Sequence, residues 1–273
     1  MKKTNATNRR RELVGWALNA PYLLYSLVFF LLPLIWAFWL SMMDWNLMSK
    51  DKTFVGAKNF LDLFSDPKVQ AAFINSYRYL LPVVLLCFFF GLMIALLVSK
   101  LPDKIKGIVA VLFFIPYLTS GVATSVVVKY FFNYNSIFNE FLRNNFGLTI
   151  NWLTDERYAF GVMVGIVVWK MSGYYALFIL SGIESIGTDV NEAAALDGST
   201  GLAFGIYTEP FLLTGGGPNL STTTWQLEIY NTSFTRFQSG YGAAMAIASA
   251  VQIFVTLRIV NFVSDKLNKR FGF

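Results

Sequence analysis

The segment Asn191-Glu-Ala-Ala-Ala-Leu-Asp-Gly-Ser199 is short, rich in small residues and acidic, and it lies between two very hydrophobic regions. Asp189, just ahead of it, is a residue type that caps helices by accepting a hydrogen bond from a free backbone amide. Alanine is the best helix former, and a glycine such as Gly198 commonly ends a helix. The sequence therefore predicts a short helix along a membrane surface, with Glu192 and Asp197 free to meet a cationic partner.

The composition indicates an all-α membrane protein with several spans. Of the 273 residues, 55% are hydrophobic and only 14% are charged, whereas a soluble domain has about 25% charged residues. There is no histidine, and the single cysteine, Cys87, excludes an intrachain disulfide. We assign the net charge of +6 to basic residues at cytoplasmic ends of spans rather than to nucleic-acid binding.

Apolar runs predict five full-length spans and one short one. The full-length runs cover residues 16–40, 77–99, 107–132, 159–182 and 241–263. A further run, residues 202–213, reaches only about 18 Å as a helix, whereas the hydrocarbon layer is about 30 Å thick. Thr214-Gly-Gly-Gly-Pro218 follows it and predicts a flexible turn.

The basic residues favour six spans. Cytoplasmic segments carry the excess of lysine and arginine, and this rule holds if residues 1–15 and 264–273 both lie in the cytoplasm. The transmembrane domain then covers residues 16–263, with a cytoplasmic loop at 183–200. Because the fifth span is too short, we hypothesise that a stretch is missing between about Thr200 and Phe204. The intact mass of the expressed chain tests this idea.

Four motifs occur in an order that resembles a known family. Glu192-Ala-Ala-Ala-Leu-Asp-Gly198 resembles the EAA motif of ABC importer permeases, and Leu213-Thr-Gly-Gly-Gly-Pro218 resembles a motif after the fifth span of the MalF/UgpA-like carbohydrate permeases. Asn19-Ala-Pro-Tyr22 and Val55-Gly-Ala-Lys-Asn-Phe60 also resemble that group, so the likeness covers essentially the whole chain. It implies a six-span permease core in which a coupling helix docks on an ATPase through these residues: Glu192, Ala193, Ala194, Asp197 and Gly198.

The resemblance also implies the function and the partners. The expected role is the permease subunit of an ATP-driven, binding-protein-dependent importer in a bacterial-type cell membrane. The solute would be a sugar, an oligosaccharide or a glycerol-phosphate-type compound. Expected partners are a second homologous permease, two ATPase subunits, an extracytoplasmic solute-binding protein and the lipid bilayer. The chain has no G-x-x-x-x-G-K-[ST] sequence, so we expect ATP-Mg in the ATPase and no catalytic residue, cofactor or metal here.

Two groups of residues are candidates for the solute pathway. Lys170 lies inside the fourth span, where a charge is costly and is a functional hypothesis by default, although snorkelling to an interface is an alternative. In the family this stretch lines the central cavity, which adds Met171 and Tyr174. Helical spacing places Tyr174 on the same face as Lys170. Glu209 and Tyr207 in the short fifth span form the second group, with an interfacial belt as the alternative role for Tyr207.

The competing class is a self-sufficient secondary carrier or channel. Such a protein would show paired intramembrane charges and repeated halves. The sequence shows no repeat, and its intramembrane charges are few and unmatched. A membrane enzyme would need a histidine, metal or nucleophile cluster, and the sequence offers none.

Overall fold

The computed structural model describes residues 2–185 and 204–271, which are almost entirely helical. The helices are α1 Lys2–Ser26, α2 Leu32–Ser41, α3 Lys58–Asp62, α4 Pro67–Ser99, α5 Asp103–Leu118, α6 Gly121–Phe131, α7 Ile137–Phe146, α8 Glu156–Ser185, α9 Thr208–Leu213, α10 Trp225–Tyr230 and α11 Ser239–Phe271. Wider helical turns cover Leu27–Leu31 and Asn231–Thr235, and strands β1 Met43–Trp45 and β2 Lys52–Phe54 pair in an antiparallel hairpin.

Within these residues, four helical stretches are long and apolar enough to cross a membrane. They are Val14–Ser41, Pro67–Ser99, Glu156–Ile183 and Ser239–Lys266, and they contain the predicted first, second, fourth and last spans almost entirely. The first of them has none of its most apolar window buried inside the chain. It is joined to the rest through α2, which packs on α11.

The third span predicted at residues 107–132 is bent at a break in the structure. Helix α5 ends at Leu118 and α6 begins at Gly121, and the two helices meet at an angle of 88°. Thr119 and Ser120 between them have extended backbone angles, with ψ of 140° and 132°. Pro116 lies three residues before the break, and because it has no backbone donor it weakens the helix just ahead of the break. Together the two helices are long and apolar enough to form either one broken span or a re-entrant loop.

Helices α4, α5 and α8 form the centre of the bundle. Buried side chains of α4, among them Tyr79 and Val83, pack against Met163 and Val167 of α8. Helix α5 approaches α8 so closely that a Cβ atom on Gly173 would lie 1.8 Å from the carbonyl oxygen of Phe113. Only glycine permits this approach, which fixes how the two helices cross.

The fifth span consists of α9 alone in the described residues, and it has only six residues. Helix α9 lies between α6 and α8. A Cβ atom on Gly121 of α6 would lie 3.2 Å from the Thr208 methyl group, and Ile206 and Leu213 are buried in the same cluster as the α8 core. The hypothesised gap between Thr200 and Phe204 falls on residues outside the described ranges. The shortness of the fifth span therefore stays a prediction.

The loop between α6 and α8 is organised by one buried amide. Asn139 on α7 is fully buried. Its Nδ2 donates to the carbonyls of Asn133, Tyr134 and Ile150, at 3.2, 3.1 and 2.8 Å. Its Oδ1 accepts from the Trp152 indole at 3.0 Å. A single side chain thus replaces the regular hydrogen bonds that this loop lacks.

The turn predicted after α9 is present in the structure and is hydrogen-bonded to the rest of the bundle. Gly215 and Gly216 adopt φ angles of 63° and 91°, which favour glycine. The Thr223 hydroxyl donates to the Gly216 carbonyl at 3.0 Å, and Asn75 of α4 donates to the carbonyls of Leu220 and Thr223 at 2.8 and 2.9 Å. The turn is therefore joined by hydrogen bonds to the start of α4.

Candidate functional site

Lys170 and Glu209, predicted separately, meet in the structure. The Lys170 ammonium nitrogen lies 3.6 Å from a Glu209 carboxylate oxygen, and the side chains are only 9% and 12% exposed. Lys170 is near the middle of the candidate span Glu156–Ile183, and Glu209 is on the short helix α9. We call these two residues the mid-membrane pair. The sequence-based statement that the intramembrane charges are unmatched is therefore wrong for this pair, whose members are 39 positions apart and show no common spacing.

The mid-membrane pair is held by charge attraction without a direct hydrogen bond. The distance of 3.6 Å is longer than the 2.7–3.2 Å typical of such bonds. The position of Glu209 follows from its own helix, because the flanking residues Ile206 and Leu213 are buried against α4 and α8. Lys170 is placed by α8, whose next residue, Met171, packs on the same core cluster. Both charges therefore occupy fixed positions on rigid elements.

Tyr174 contacts a different neighbour. Its ring stacks on Tyr117 of α5, with centroids 4.6 Å apart and planes 24° apart, and Tyr117 stacks on Phe114 in turn. Lys170, one turn earlier on α8, instead faces Glu209. Helical spacing places Lys170 and Tyr174 on the same side of α8, but Tyr174 contacts α5 whereas Lys170 contacts α9.

Tyr207 belongs to a strip of four rings that the sequence analysis did not assemble. It stacks on Phe211 at 5.3 Å, contacts Tyr230 at 5.5 Å, and Tyr230 contacts Phe234 at 5.5 Å. We call these four rings the aromatic strip. Three of them are at least 36% exposed. The spacing of four residues within each half of the strip was the available signal. The strip connects the start of α9 with α10 and the wide turn after it.

A second buried ion pair was also missed. Glu228 on α10 is 4% exposed and pairs with Arg236, which donates to both Glu228 and the Thr232 hydroxyl. The pair joins α10 to the residue that follows the wide helical turn Asn231–Thr235. Nearby, the Trp225 indole donates to Gln252 of α11 at 2.6 Å. These bonds attach α10 to the last span, and the Nε of Arg236 is buried without a hydrogen-bond partner among the described residues.

The proposed coupling residues lie outside the described part of the chain. Glu192, Ala193, Ala194, Asp197 and Gly198 fall between Ser185, where α8 ends, and Phe204. In the described residues, no group of three or more histidine, cysteine or acidic side chains has the arrangement of a metal site.

Comparison with known proteins gives one consistent group. No family model matches the chain. It is 27% identical over 281 residues to the probable ABC transporter permease protein YurN of Bacillus subtilis (strain 168), covering 92% of this chain and 94% of the relative. It is 28% identical over 286 residues to the multiple sugar-binding transport system permease protein MsmF of Streptococcus mutans, covering 94% and 96%. It is 27% identical over 290 residues to the sn-glycerol-3-phosphate transport system permease protein UgpA of Pectobacterium atrosepticum, covering 95% and 97%.

A solved structure shares the fold. A chain of a bacterial ABC transporter involved in the import of the acidic polysaccharide alginate superposes with a TM-score of 0.76 at 18% identity, covering 96% of this chain and 99% of that one. The three sequence alignments are each longer than the 273 residues of this chain although none covers all of it, so the relatives carry residues without a counterpart here. The chain is a multi-pass membrane protein with the fold of an ABC importer permease, and its homologues along nearly its whole length are sugar ABC transporter permeases.

Proposed function

We propose that this chain is the permease subunit of an ATP-driven, binding-protein-dependent importer for a sugar, an oligosaccharide or a glycerol-phosphate-type solute. The observation that carries the proposal is the near-complete coverage of both chains in the alignments with sugar and sn-glycerol-3-phosphate transport permeases. We place the protein in a bacterial-type cell membrane, with both termini cytoplasmic because the basic residues cluster there.

ATP would drive the cycle from outside this chain. We propose that the segment from Glu192 to Gly198 forms a coupling helix that inserts into a cleft of an ATPase subunit. Its alanines permit close approach, and Glu192 and Asp197 supply charges for cationic partners. Two ATPase subunits, which bind ATP-Mg, would close on this chain and on a second homologous permease. The chain itself would bind no cofactor and hydrolyse nothing.

The solute would pass between the two permeases by alternating access. The described residues proposed to line the path are Lys170, Met171, Tyr174, Tyr207 and Glu209. ATP-driven closure opens the path outward only if the two states of the cavity differ in affinity for the solute. A solute-binding protein would deliver solute at the end of the bundle that carries the β1–β2 hairpin and the turn after α9. The solved alginate importer was crystallised with its oligosaccharide-bound periplasmic protein, which supports this arrangement.

The mid-membrane pair favours a second candidate, a self-sufficient carrier. Paired intramembrane charges are typical of ion-coupled carriers, and Lys170 and Glu209 form such a pair. The permease proposal still explains the full-length likeness to importer subunits, which the carrier class leaves unexplained.

Substitution of the coupling segment separates the two candidates. The Glu192→Ala and Gly198→Leu variants should assemble in the membrane but lose ATPase binding, or lose the stimulation of ATP hydrolysis by solute-loaded binding protein. Asp103→Ala, at the exposed start of α5, is a matched control on another loop. A carrier would tolerate all three changes, so unaltered solute uptake by the first two variants rejects the importer.

A further inference from the structure

A polar cavity lies beside the β1–β2 hairpin, and none of its lining residues belongs to the proposed solute path. We call it the hairpin cavity. Its wall is formed by β1 and the residue after it, by the residues around α3, and by the start of α11. Its volume is about 340 Å³, near the lower end of the range of about 300–1,000 Å³ that is typical of small-molecule sites.

The wall of the hairpin cavity is held in place by its own contacts. Asn59 of α3 is buried, and its Nδ2 donates to the carbonyls of Ser41 and Met43, both at 2.9 Å. A Cβ atom on Gly240, in the first turn of α11, would lie 1.9 Å from the same Met43 carbonyl oxygen. Hairpin, α3 and α11 are thus fixed against one another. A ligand that enters a cavity formed in advance pays little for ordering the wall.

The hairpin cavity carries hydrogen-bonding groups that the fold does not use. Four side chains in its wall make no hydrogen bond or ion pair within the part of the chain that the structure describes: Asp44, Lys58, Asp62 and Gln238. The Oδ1 atom of Asn59 also accepts no hydrogen bond from a described residue, although Asn59 is only 7% exposed. Buried polar groups normally have partners, so this oxygen indicates that the cavity holds one.

The charges of the wall select among ligand classes. The wall has two carboxylates and one ammonium group. An anion would be repelled by the two carboxylates, and a metal cation would be repelled by the ammonium group. In the described part of the chain, no three histidine, cysteine or acidic side chains are arranged to hold a metal. The wall therefore favours a neutral polar ligand.

The remaining groups of the wall match a sugar ring. The amide of Gln238 offers both donors and an acceptor, and Asn46 keeps its NH₂ group free because its Oδ1 accepts from the Met48 amide at 2.9 Å. Each hydroxyl of a sugar can donate and accept, so it fits such a mixed set. Val55 and the ring of Trp45 add apolar surface for the C–H groups of the sugar.

We propose that the hairpin cavity binds one neutral sugar unit, at a site separate from the solute path. The carboxylates of Asp44 and Asp62 accept from its hydroxyl groups, and Lys58 and Gln238 donate to them. Hydrogen bonds to charged groups are stronger than neutral ones, which favours binding in a small cavity. The site lies at the end of the bundle where we place delivery of the solute, but its occupation requires neither ATP nor an ATPase subunit.

The test is a titration of the purified full-length chain with glucose and with maltose, followed by saturation-transfer NMR. The detergent is lauryldimethylamine oxide, because detergents with sugar headgroups would compete for the site. One sugar ring held mainly by hydrogen bonds predicts a Kd on the order of 1 mM. Glycerol 3-phosphate and calcium chloride are added in separate experiments as competitors that carry charge.

Two variants of the hairpin cavity act in different ways. D62N/Q238L removes hydrogen-bonding groups and should weaken sugar binding at least tenfold, and Val55→Phe fills the cavity and should abolish binding. Asp51→Asn, on the same hairpin but outside the cavity, is the matched control and should bind as the wild type does. The unfolding midpoint is measured for each variant, and a folding defect in one cavity variant leaves the other to decide.

Three results would overturn the proposal. The first is that neither sugar receives saturation from the wild type. The second is that a cavity variant with a wild-type unfolding midpoint binds sugar as the wild type does, which would place the sugar elsewhere on the chain. The third is displacement of the sugar by glycerol 3-phosphate or by calcium at lower concentration than the sugar itself, which would show a site for an ion. Failure of ATP-driven uptake would reject the importer and leave this sugar site standing.

Discussion

The mid-membrane pair allows a quantitative prediction about stability. At 3.6 Å and an effective dielectric constant of about 20, the attraction between Lys170 and Glu209 is about 5 kcal/mol. Removing one partner leaves the other charge buried without compensation. K170M and E209Q should therefore each lower the free energy of unfolding by about 3–5 kcal/mol. The double variant removes both charges and should lie within about 1–2 kcal/mol of the wild type.

The assay is equilibrium unfolding of the purified chain in mixed micelles with increasing dodecyl sulfate, followed by the fluorescence of its seven tryptophans. The wild type, the two single variants and the double variant form a double-mutant cycle, which gives the coupling free energy between Lys170 and Glu209 directly. Asp155→Asn and Arg157→Met break a pair with a shorter distance, 2.8 Å, but at an exposed site. Because solvent screens that pair, its loss should change the stability little. Single variants at Lys170 and Glu209 no more damaging than these controls would refute the reasoning.

Three further substitutions test the packing around the site by the same unfolding measurement. Gly173→Ala should lower the free energy of unfolding by about 1–3 kcal/mol because its Cβ would overlap a carbonyl of α5. Gly165→Ala, with open space around it, should leave that free energy unchanged or raise it by up to about 1 kcal/mol. Equal effects of the two substitutions would contradict the described helix crossing. Asn75→Ala leaves two carbonyls of the glycine-rich turn without a donor and should lower the free energy of unfolding by about 1–3 kcal/mol. The control Asn145→Ala, at an exposed site, should lower it by less than about 0.5 kcal/mol. Asn139→Leu removes the buried amide that joins the loop before α8 and should lower the free energy of unfolding by at least about 2 kcal/mol. An unaltered unfolding midpoint would show that the loop is held by other contacts.

The long helices could be predicted because run length is a local property. Residues 77–99, 159–182 and 241–263 are apolar for at least a full bilayer thickness, and each lies within one long helix. The break in the third span could not be predicted, because proline is tolerated in membrane helices and Pro116 alone does not decide between a kink and a break. After the break, α6 packs on α9, and this contact is a tertiary property that no local pattern reveals.

Sequence reasoning identified both residues of the mid-membrane pair but not their contact with each other. An intramembrane lysine is visible locally, and so is a glutamate in an apolar run. Their pairing depends on how α9 lies between α6 and α8, and no periodicity relates positions 170 and 209. Likewise, Thr214-Gly-Gly-Gly-Pro218 predicted a turn. The hydrogen bonds that hold it come from another helix, through Asn75, which is 145 and 148 positions away from the residues it binds.

The most direct test of the central claim is co-purification of this chain with its partners, followed by measurement of ATP hydrolysis. The account predicts a stable complex with a second permease and two ATPase subunits, in which one class of solute-loaded binding protein stimulates hydrolysis. The Glu192→Ala variant should abolish that stimulation. A chain that purifies alone and moves solute across proteoliposomes without ATP would contradict the account, and the mid-membrane pair would then be examined as an ion-coupling site.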